Sequence, residues 1–225
     1  MANLLISFVV PAYNEEALIA SCLAAIQAEI ARTGCRAEII VVDNNSTDGT
    51  ATIARRHGAH VVTERNSGYG SAVHAGIVAA ATPIVAVLDA DGSLDPAELP
   101  PMVAELERGA DMVTGRRRPV QGVRWPWHAR LGTAAVSWRL RTRHRLPVHD
   151  IAPMRVARRE ALLTLGVADR RSGYPVELLV RAAAAGWRVV ERDVGYAPRT
   201  GGKSKVSGSA RGSLVAAVDF WRAIS

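Results

Sequence analysis

An α/β fold, with a mostly parallel central sheet and helices on both faces, is what this 225-residue sequence predicts. Three observations predict it. Strand-length apolar runs alternate with segments of helical periodicity across residues 4–115, the rhythm that parallel crossover units produce. Some of these runs, 4–10 and 84–88 among them, are apolar at successive positions, as in strands covered on both sides. The polar stretches 12–16, 43–49 and 89–93 each follow a strand, which gathers them at one edge of a parallel sheet.

Taken in order, residues 4–10 form a strand that ends at Pro11, which lacks the N–H a ladder needs. Asn14 then stands as an N-cap, with Glu15 and Glu16 in the first helical turn. Leu18, Ile19, Cys22, Leu23, Ile26 and Ile30 recur at helical spacing until Gly34 closes the helix. Residues 38–42 are a second strand, and a polar loop leads from Asp43 into a helix over 49–57 and a short strand at 59–63. Asn66-Ser67-Gly68-Tyr69-Gly70-Ser71 opens a helix whose small face (Ala72, Ala75, Gly76, Ala79, Ala80) predicts close packing on the sheet. Thr82-Pro83 stops it before the strand 84–88. Asp95 caps the next helix ahead of Pro96, and residues 111–114 are a further strand.

Beyond residue 115 the pattern changes. Arg116-Arg117-Arg118-Pro119 opens a basic stretch bearing Trp125, Trp127 and His128. A helix over 131–140, a basic turn over 142–146, extended segments at 147–151 and 154–156, and a short helix over 158–165 follow. Residues 176–185 read as an amphipathic helix with Gly186 at its end, and 188–194 as a late strand. Residues 201–205 form a basic, glycine-rich loop, and 214–224 an apolar closing segment. No internal repeat or long linker divides the chain, so residues 1–225 read as one domain.

The apolar run 84–88 drives into two carboxylates, Asp89 and Asp91. On extended backbone, positions i and i+2 share a face, so both can address one site. Close anions repel unless a cation lies between them, and a divalent cation is the usual answer. A solvated turn of Asp and Gly is the competing reading. The convergence of three strand-end loops favours a site.

A formal net charge of +7 points to an anionic partner, and 48% hydrophobic content suffices for one sizeable core. No apolar segment approaches the roughly 20 residues of a membrane span, and the first ten residues lack the basic start of a signal peptide. A cytoplasmic location is expected. Cys22 and Cys35 make no metal motif, and Cys22, on an apolar stripe, reads as a buried reduced thiol. The histidines show no paired spacing on a helix face, which argues against zinc. A nucleic-acid-binding module would explain the charge, yet no RNA- or DNA-binding motif occurs. Nor does the glycine- and arginine-rich phosphate loop of a nucleotidyltransferase follow the first strand.

Pro11-Ala12-Tyr13-Asn14-Glu15, Val41-Val42-Asp43-Asn44-Asn45-Ser46-Thr47-Asp48-Gly49-Thr50 and Asp89-Ala90-Asp91 stand in the order and spacing of family 2 glycosyltransferases with the GT-A fold. Glu177-Leu178-Leu179-Val180-Arg181, then Gly186-Trp187-Arg188-Val189-Val190-Glu191, Arg199 and Gly202-Lys203-Ser204-Lys205, resemble the dolichyl- or polyprenyl-phosphate sugar transferases. The resemblance covers residues 4–206. It implies a nucleotide-sugar-binding half (1–115), an acceptor-binding half (116–206) and a C-terminal helix (207–225). It implies an inverting, metal-dependent transfer from a GDP- or UDP-sugar to an anionic acceptor, a polyprenyl or dolichyl phosphate or else a soluble or carrier-bound hydroxyl or amine.

Carried over by position, the resemblance puts Pro11, Ala12, Tyr13 and Glu15 around base and ribose, and Asp43 at the base or ribose edge. Asp89 is then on the ribose and metal side, and Asp91 ligates Mg²⁺ or Mn²⁺ at the diphosphate. Asn45, Gly68, Tyr69 and Ala90 join this donor-binding set. The chain departs from the pattern at Ser93, where lipid-phosphate members often carry glutamine, and at Asn45, where an acidic residue or glycine is common.

Arg117, Arg199, Lys203 and Lys205 are candidates to neutralise phosphates; a solvated charge run and a basic loop are the competing readings. Asp150 and Glu177 are the carboxylates nominated to receive an acceptor's proton, against a turn and a helix-end charge as structural alternatives. The segment around 214–221, with Arg211 and Arg222 beside it, suits contact with the cytoplasmic face of a membrane, packing on the sheet, or pairing with a second subunit.

Overall fold

The computed structural model describes residues 4–120, 127–151, 153–197 and Phe220. Among them, a seven-stranded sheet runs in the order β3-β2-β1-β4-β6-β5-β7. Its strands are β1 (Leu5–Ala12), β2 (Arg36–Asp43), β3 (His60–Thr63), β4 (Ile84–Val87), β5 (Met112–Pro119), β6 (Arg155–Arg158) and β7 (Val189–Tyr196). The helices are α1 (Ile19–Thr33), α2 (Thr50–Arg56), α3 (Tyr69–Ala79), α4 (Leu99–Glu107), α5 (Trp127–His144), α6 (Arg159–Thr164) and α7 (Tyr174–Ala184).

Alternate residues of the apolar strands serve two cores. Val9, Ile40, Val42, Val85 and Val87 meet α3, α5, α6 and α7 on one face, through Val73, Ile77, Leu140, Leu162 and Leu179. Phe8, Val10, Val41, Ala86 and Leu88 meet α1, α2 and α4 on the other, through Leu23, Ile26, Ala54 and Met102. Burial on both sides explains the unbroken apolar runs. Gly76 shows how closely α3 lies on the sheet: a Cβ there would stand 2.3 Å from Val9 Cγ1. The expected helices on both faces and mostly parallel sheet are both present.

Several boundaries differ from expectation, each for a physical reason. β1 continues through Pro11 to Ala12, paired with Val42 and Asp43. The Val9 carbonyl accepts from Leu88 N on the β4 side; two residues on, the missing N–H of Pro11 faces the same side, past the end of β4. Asn14 does not cap α1. It adopts φ +52, and its side-chain oxygen accepts instead from Thr47 N at 2.8 Å. The Glu15 carbonyl makes the turn into the helix by accepting from Leu18 and Ile19 N.

In the second half, β5 runs through the arginine triplet because β7 pairs with it in parallel as far as Tyr196. α5 absorbs most of the expected basic turn: Arg141, Arg143 and His144 occupy its last turn, where cations suit the helix dipole. α7 starts at Tyr174, with Pro175 accommodated in its first turn.

The most consequential departure is β6. It runs antiparallel to both β4 and β5. Its amino end therefore lies at the same edge as the carboxyl ends of the parallel strands, and Asp150 and Arg155 are delivered to the edge where Asp89 and Asp91 emerge.

Candidate active site

The sheet order changes direction at β1: β2 and β3 lie on one side of it and β4 on the other. Open α/β sheets form their ligand crevice at such a switch point, outside the carboxyl ends of the strands. The loops after β1 and β2 interlock there. Asn14 N donates to Ser46 Oγ at 3.0 Å, Glu15 N to Thr50 Oγ1 at 2.9 Å, and Gly49 N to Glu16 Oε2 at 3.0 Å. These contacts fix Ala12, Tyr13 and Glu15 beside Asp43, whose Oδ1 accepts from Ser46 N. Glu15 and Asp43 are buried, while Tyr13 is 43% exposed.

Asp89 and Asp91 are half-buried just beyond β4. Asp91 Oδ1 accepts from Ser93 N at 3.0 Å, a turn that orients the carboxylate. Cys22 of α1 lies beneath the pair, its Sγ donating to the Asp89 carbonyl at 3.7 Å. Burial, with the charges of Asp91, Asp89 and Glu15 added, pushes the Cys22 thiol up to about 12. That triad of charges around one thiol brings the β1 and β4 loops to a common point. Cys22 is therefore expected to resist iodoacetamide in the folded protein at pH 8, where only about one thiol in 10⁴ is ionised, and to label readily in urea. Rapid labelling of folded protein, read by mass spectrometry, would contradict this placement.

Arg117, on β5, lies at the same edge with Asp150. Its Nε and one Nη donate to the two Asp150 oxygens, each at 2.8 Å, and its backbone N donates to Oδ2 at 2.9 Å. Ile151 N donates to Oδ1 at 2.7 Å. Burial is the largest single influence and opposes the Arg117 charge, but the hydrogen bonding and charge of Asp150, with Tyr196 and Asp89 added, together raise the arginine's pKa above its ordinary value. The guanidinium also lies 5.7 Å from the Tyr196 ring centroid. Glu191 braces the segment from below by accepting from Asp150 N at 3.0 Å.

Asp150 and Glu177, the carboxylates expected to receive an acceptor's proton, both have their oxygens engaged in this geometry. Both Asp150 oxygens are engaged and the residue is buried. Glu177 caps a loop: its oxygens accept from Ala168 N, Asp169 N and Arg181 Nε. The loop it holds lies across the start of α3, where Gly70 N donates to the Arg171 carbonyl and Ser71 N to that of Arg170. Gly68, at φ +145, permits the approach; a Cβ there would stand 2.2 Å from the Arg170 carbonyl oxygen.

Burial alone would raise the Glu177 pKa, but the two backbone donors and Arg181 hold it below its ordinary value of 4.5. A depressed carboxyl stabilises the fold above the unfolded-state value and ceases to do so as pH falls through the folded one. Glu177→Gln is thus expected to cost about 1–2 kcal/mol at pH 7 and progressively less as pH falls below the ordinary carboxylate value, measured by urea unfolding across that range.

Asn45 is exposed, and its amide donates to the Arg65 carbonyl and Ser67 Oγ. Beside it Asn44, which sequence reasoning passed over, donates to the Glu64 and Asn66 carbonyls and accepts from Gly68 N. Arg199, Lys203 and Lys205 lie outside the described residues, as does the segment around 214–218. Arg155 was also missed. It is 3% exposed, beneath the edge on β6. The available signal was an arginine flanked by the apolar residues Met154 and Val156 at the start of an extended segment.

Comparison with known proteins agrees with this architecture. The family description Glycosyl transferase family 2 matches residues 7–166. An uncharacterized glycosyltransferase of Mycobacterium tuberculosis (strain ATCC 25618 / H37Rv) is 70% identical over the full length of both chains. A dolichyl-phosphate hexose transferase of Haloferax volcanii is 33% identical over 93% of this chain and 90% of its own. Glucosyl-3-phosphoglycerate synthase of Mycobacterium tuberculosis, crystallised with Mn²⁺, UDP and glucosyl-3-phosphoglycerate, superimposes with a TM-score of 0.77 over 97% of this chain and 78% of that one, at 25% identity. Mannosyl-3-phosphoglycerate synthase from Rubrobacter xylanophilus shares the fold, with a TM-score of 0.78 over 98% of this chain and 72% of that one, at 21% identity. The fold is GT-A, and the chain belongs to glycosyltransferase family 2.

Proposed function

We propose that the protein moves a sugar from a UDP-sugar to an acceptor that presents a phosphate, a polyprenyl or dolichyl phosphate being the acceptor. The observation that carries this is the joint placement of the Asp89–Asp91 pair and the Asp150-braced Arg117 at one sheet edge, where neither Asp150 nor Glu177, among the described residues, is disposed as a general base. A phosphate monoester needs none, since its second pKa of about 6 leaves it ionised at neutral pH. A hydroxyl acceptor would need one.

A hard divalent cation fits the donor set. Among the described residues no group of three His, Cys, Asp or Glu side chains could hold a metal ion, and Mg²⁺ and Mn²⁺ are content with one or two carboxylates, phosphate oxygens and water. Asp91 and Asp89 would hold it, and it would supply Lewis acidity to the departing diphosphate. The protein's own residues do the rest. Tyr13, an exposed aromatic residue, would pack against the base, with Glu15 and Asp43 beside it for polar contacts. Arg117, fixed by Asp150, holds positive charge where phosphates meet. A single in-line displacement at the anomeric carbon inverts it.

The 33% identity to a dolichyl-phosphate hexose transferase supports the lipid-linked acceptor. No described helix is long and apolar enough to cross a membrane, so such an acceptor would be met at the membrane surface. A soluble phosphorylated acid is the second reading, favoured by the superposition on glucosyl-3-phosphoglycerate synthase. Calorimetric titration with UDP and GDP, with and without Mn²⁺, tests the donor site; metal-linked binding of UDP is expected. A panel of UDP-sugars against polyprenyl phosphate and 3-phosphoglycerate, read by mass spectrometry, tests the acceptor. No metal-linked nucleotide binding would overturn the whole reading, and product on 3-phosphoglycerate only would overturn the lipid.

A further inference from the structure

Three side chains with hydrogen-bond donors are buried together without partners on the face of the sheet that carries α3 and α7. All three N–H-bearing nitrogens of the Arg155 guanidinium, the Tyr69 hydroxyl and the Thr114 hydroxyl have no hydrogen-bond partner. Register brings two of them side by side: Arg155 of β6 pairs with Thr114 of β5 and with Val87 of β4. Val87, Met112 and Ala157 belong to the core on this face, so strand alternation turns Thr114 and Arg155 toward it as well. Tyr69, at the start of α3, and Tyr174 are electrostatic neighbours of Arg155, together with Asp89 and Asp150.

An unpaired buried guanidinium is costly, and folded proteins pair or hydrogen-bond such charges. The carboxylates nearby do not perform that office. Asp150 is taken up by Arg117 and backbone N–H groups, and no Arg155 nitrogen reaches Asp89. Burial keeps the Tyr69 hydroxyl protonated, hence a donor. Donors without acceptors, gathered around a fixed cation with a planar fork, are what an oxyanion requires. Arg155 pairs with Val87, two residues before Asp89 on the same strand line, and Asp89 and Tyr69 are both half-buried.

We propose that Arg155, with the hydroxyls of Tyr69 and Thr114, forms an oxyanion subsite distinct from the Asp89–Asp91 pair, which takes the phosphate of the acceptor. The assignment of that phosphate to the acceptor rests on the function proposed above. The donor's diphosphate is the other source of the same chemistry.

Inorganic phosphate titrated into the full chain saturated with Mg²⁺ and UDP, followed by ³¹P NMR, separates the two. Phosphate is expected to bind at one site without displacing UDP. Arg155→Met should weaken phosphate at least tenfold, leave UDP affinity unchanged and raise Tm, because it removes an unpaired buried charge. Tyr69→Phe, which deletes a hydroxyl with no partner in the fold, should weaken phosphate several-fold with Tm unchanged or higher. UDP binding without phosphate binding overturns the subsite and leaves the proposed function standing. Displacement of UDP by phosphate overturns the assignment to the acceptor. Loss of UDP affinity and of Tm together in Arg155→Met would make Arg155 a structural support of Asp89, and unchanged phosphate affinity in Tyr69→Phe would sink the subsite even if the arginine variant failed to fold.

Discussion

Asp91→Asn is expected to abolish metal-linked UDP binding and to slow sugar transfer by at least about 100-fold, the scale on which one preorganised electrostatic contact contributes. The substitution is a clean probe because the turn it sits in survives. Asn presents the same side-chain oxygen to Ser93 N that Asp91 Oδ1 does, so the charge is lost and the backbone is not disturbed. With that turn kept, the effect on folding is expected to stay within about 1 kcal/mol. Asp89→Asn is a less specific probe. Its carboxylate also lies in the fields of Arg117 and Arg155, so its loss changes their balance too. UDP titration with and without Mn²⁺ on folded Asp91→Asn, beside its melting curve, is the check. Undiminished manganese-linked affinity would remove Asp91 from the site.

That prediction could be written from the sequence because the first half of the chain obeys local rules. Where strands are covered on both faces, the apolar runs name themselves, and each loop follows its strand to one edge. The second half was harder to read, and β6 shows why. Arg155–Arg158 is a strand of four residues with two arginines, and nothing in so short a polar run tells the direction in which it pairs. Direction comes from the long-range partners Val85, Ala86, Met112 and Val113, which the local sequence does not contain. The arginine triplet shows the same limit. Arg116 and Arg118 are solvent-side partners of Asp193, whereas Arg117 turns inward to a buried carboxylate, a distinction set by β7 lying alongside. Asn14 and Glu177 carry the residue types of a cap and a catalytic carboxylate, and both are diverted to hold loops remote in sequence or fold. Residue type announced polarity in each case; only the tertiary partner decided its use.

Asp150→Ala is expected to destabilise the protein by about 3–5 kcal/mol, the cost of leaving one charge of a buried pair uncompensated. The guanidinium of Arg117 has 18% of its side-chain surface exposed against 3% for Asp150, so water relieves part of the stranded charge and the lower end of that range applies. At about 2–4 °C per kcal/mol for a chain of this size, Tm should fall on the order of 10 °C. Removing the cation as well tests the cause: Arg117→Met combined with Asp150→Ala should regain at least about 1–2 kcal/mol over the single variant, since it takes away the unpaired charge. Asp150→Asn separates this account from the catalytic one. A proton acceptor replaced by its isosteric amide would lose turnover with its melting temperature intact. A buried partner of Arg117 would lose both together, because the amide can accept only one of the two guanidinium bonds and presents a donor to the other. Thermal melts and turnover on the same preparations decide it, and a fully stable, inactive Asp150→Asn would return Asp150 to the role of base and weaken the case for a phosphate acceptor.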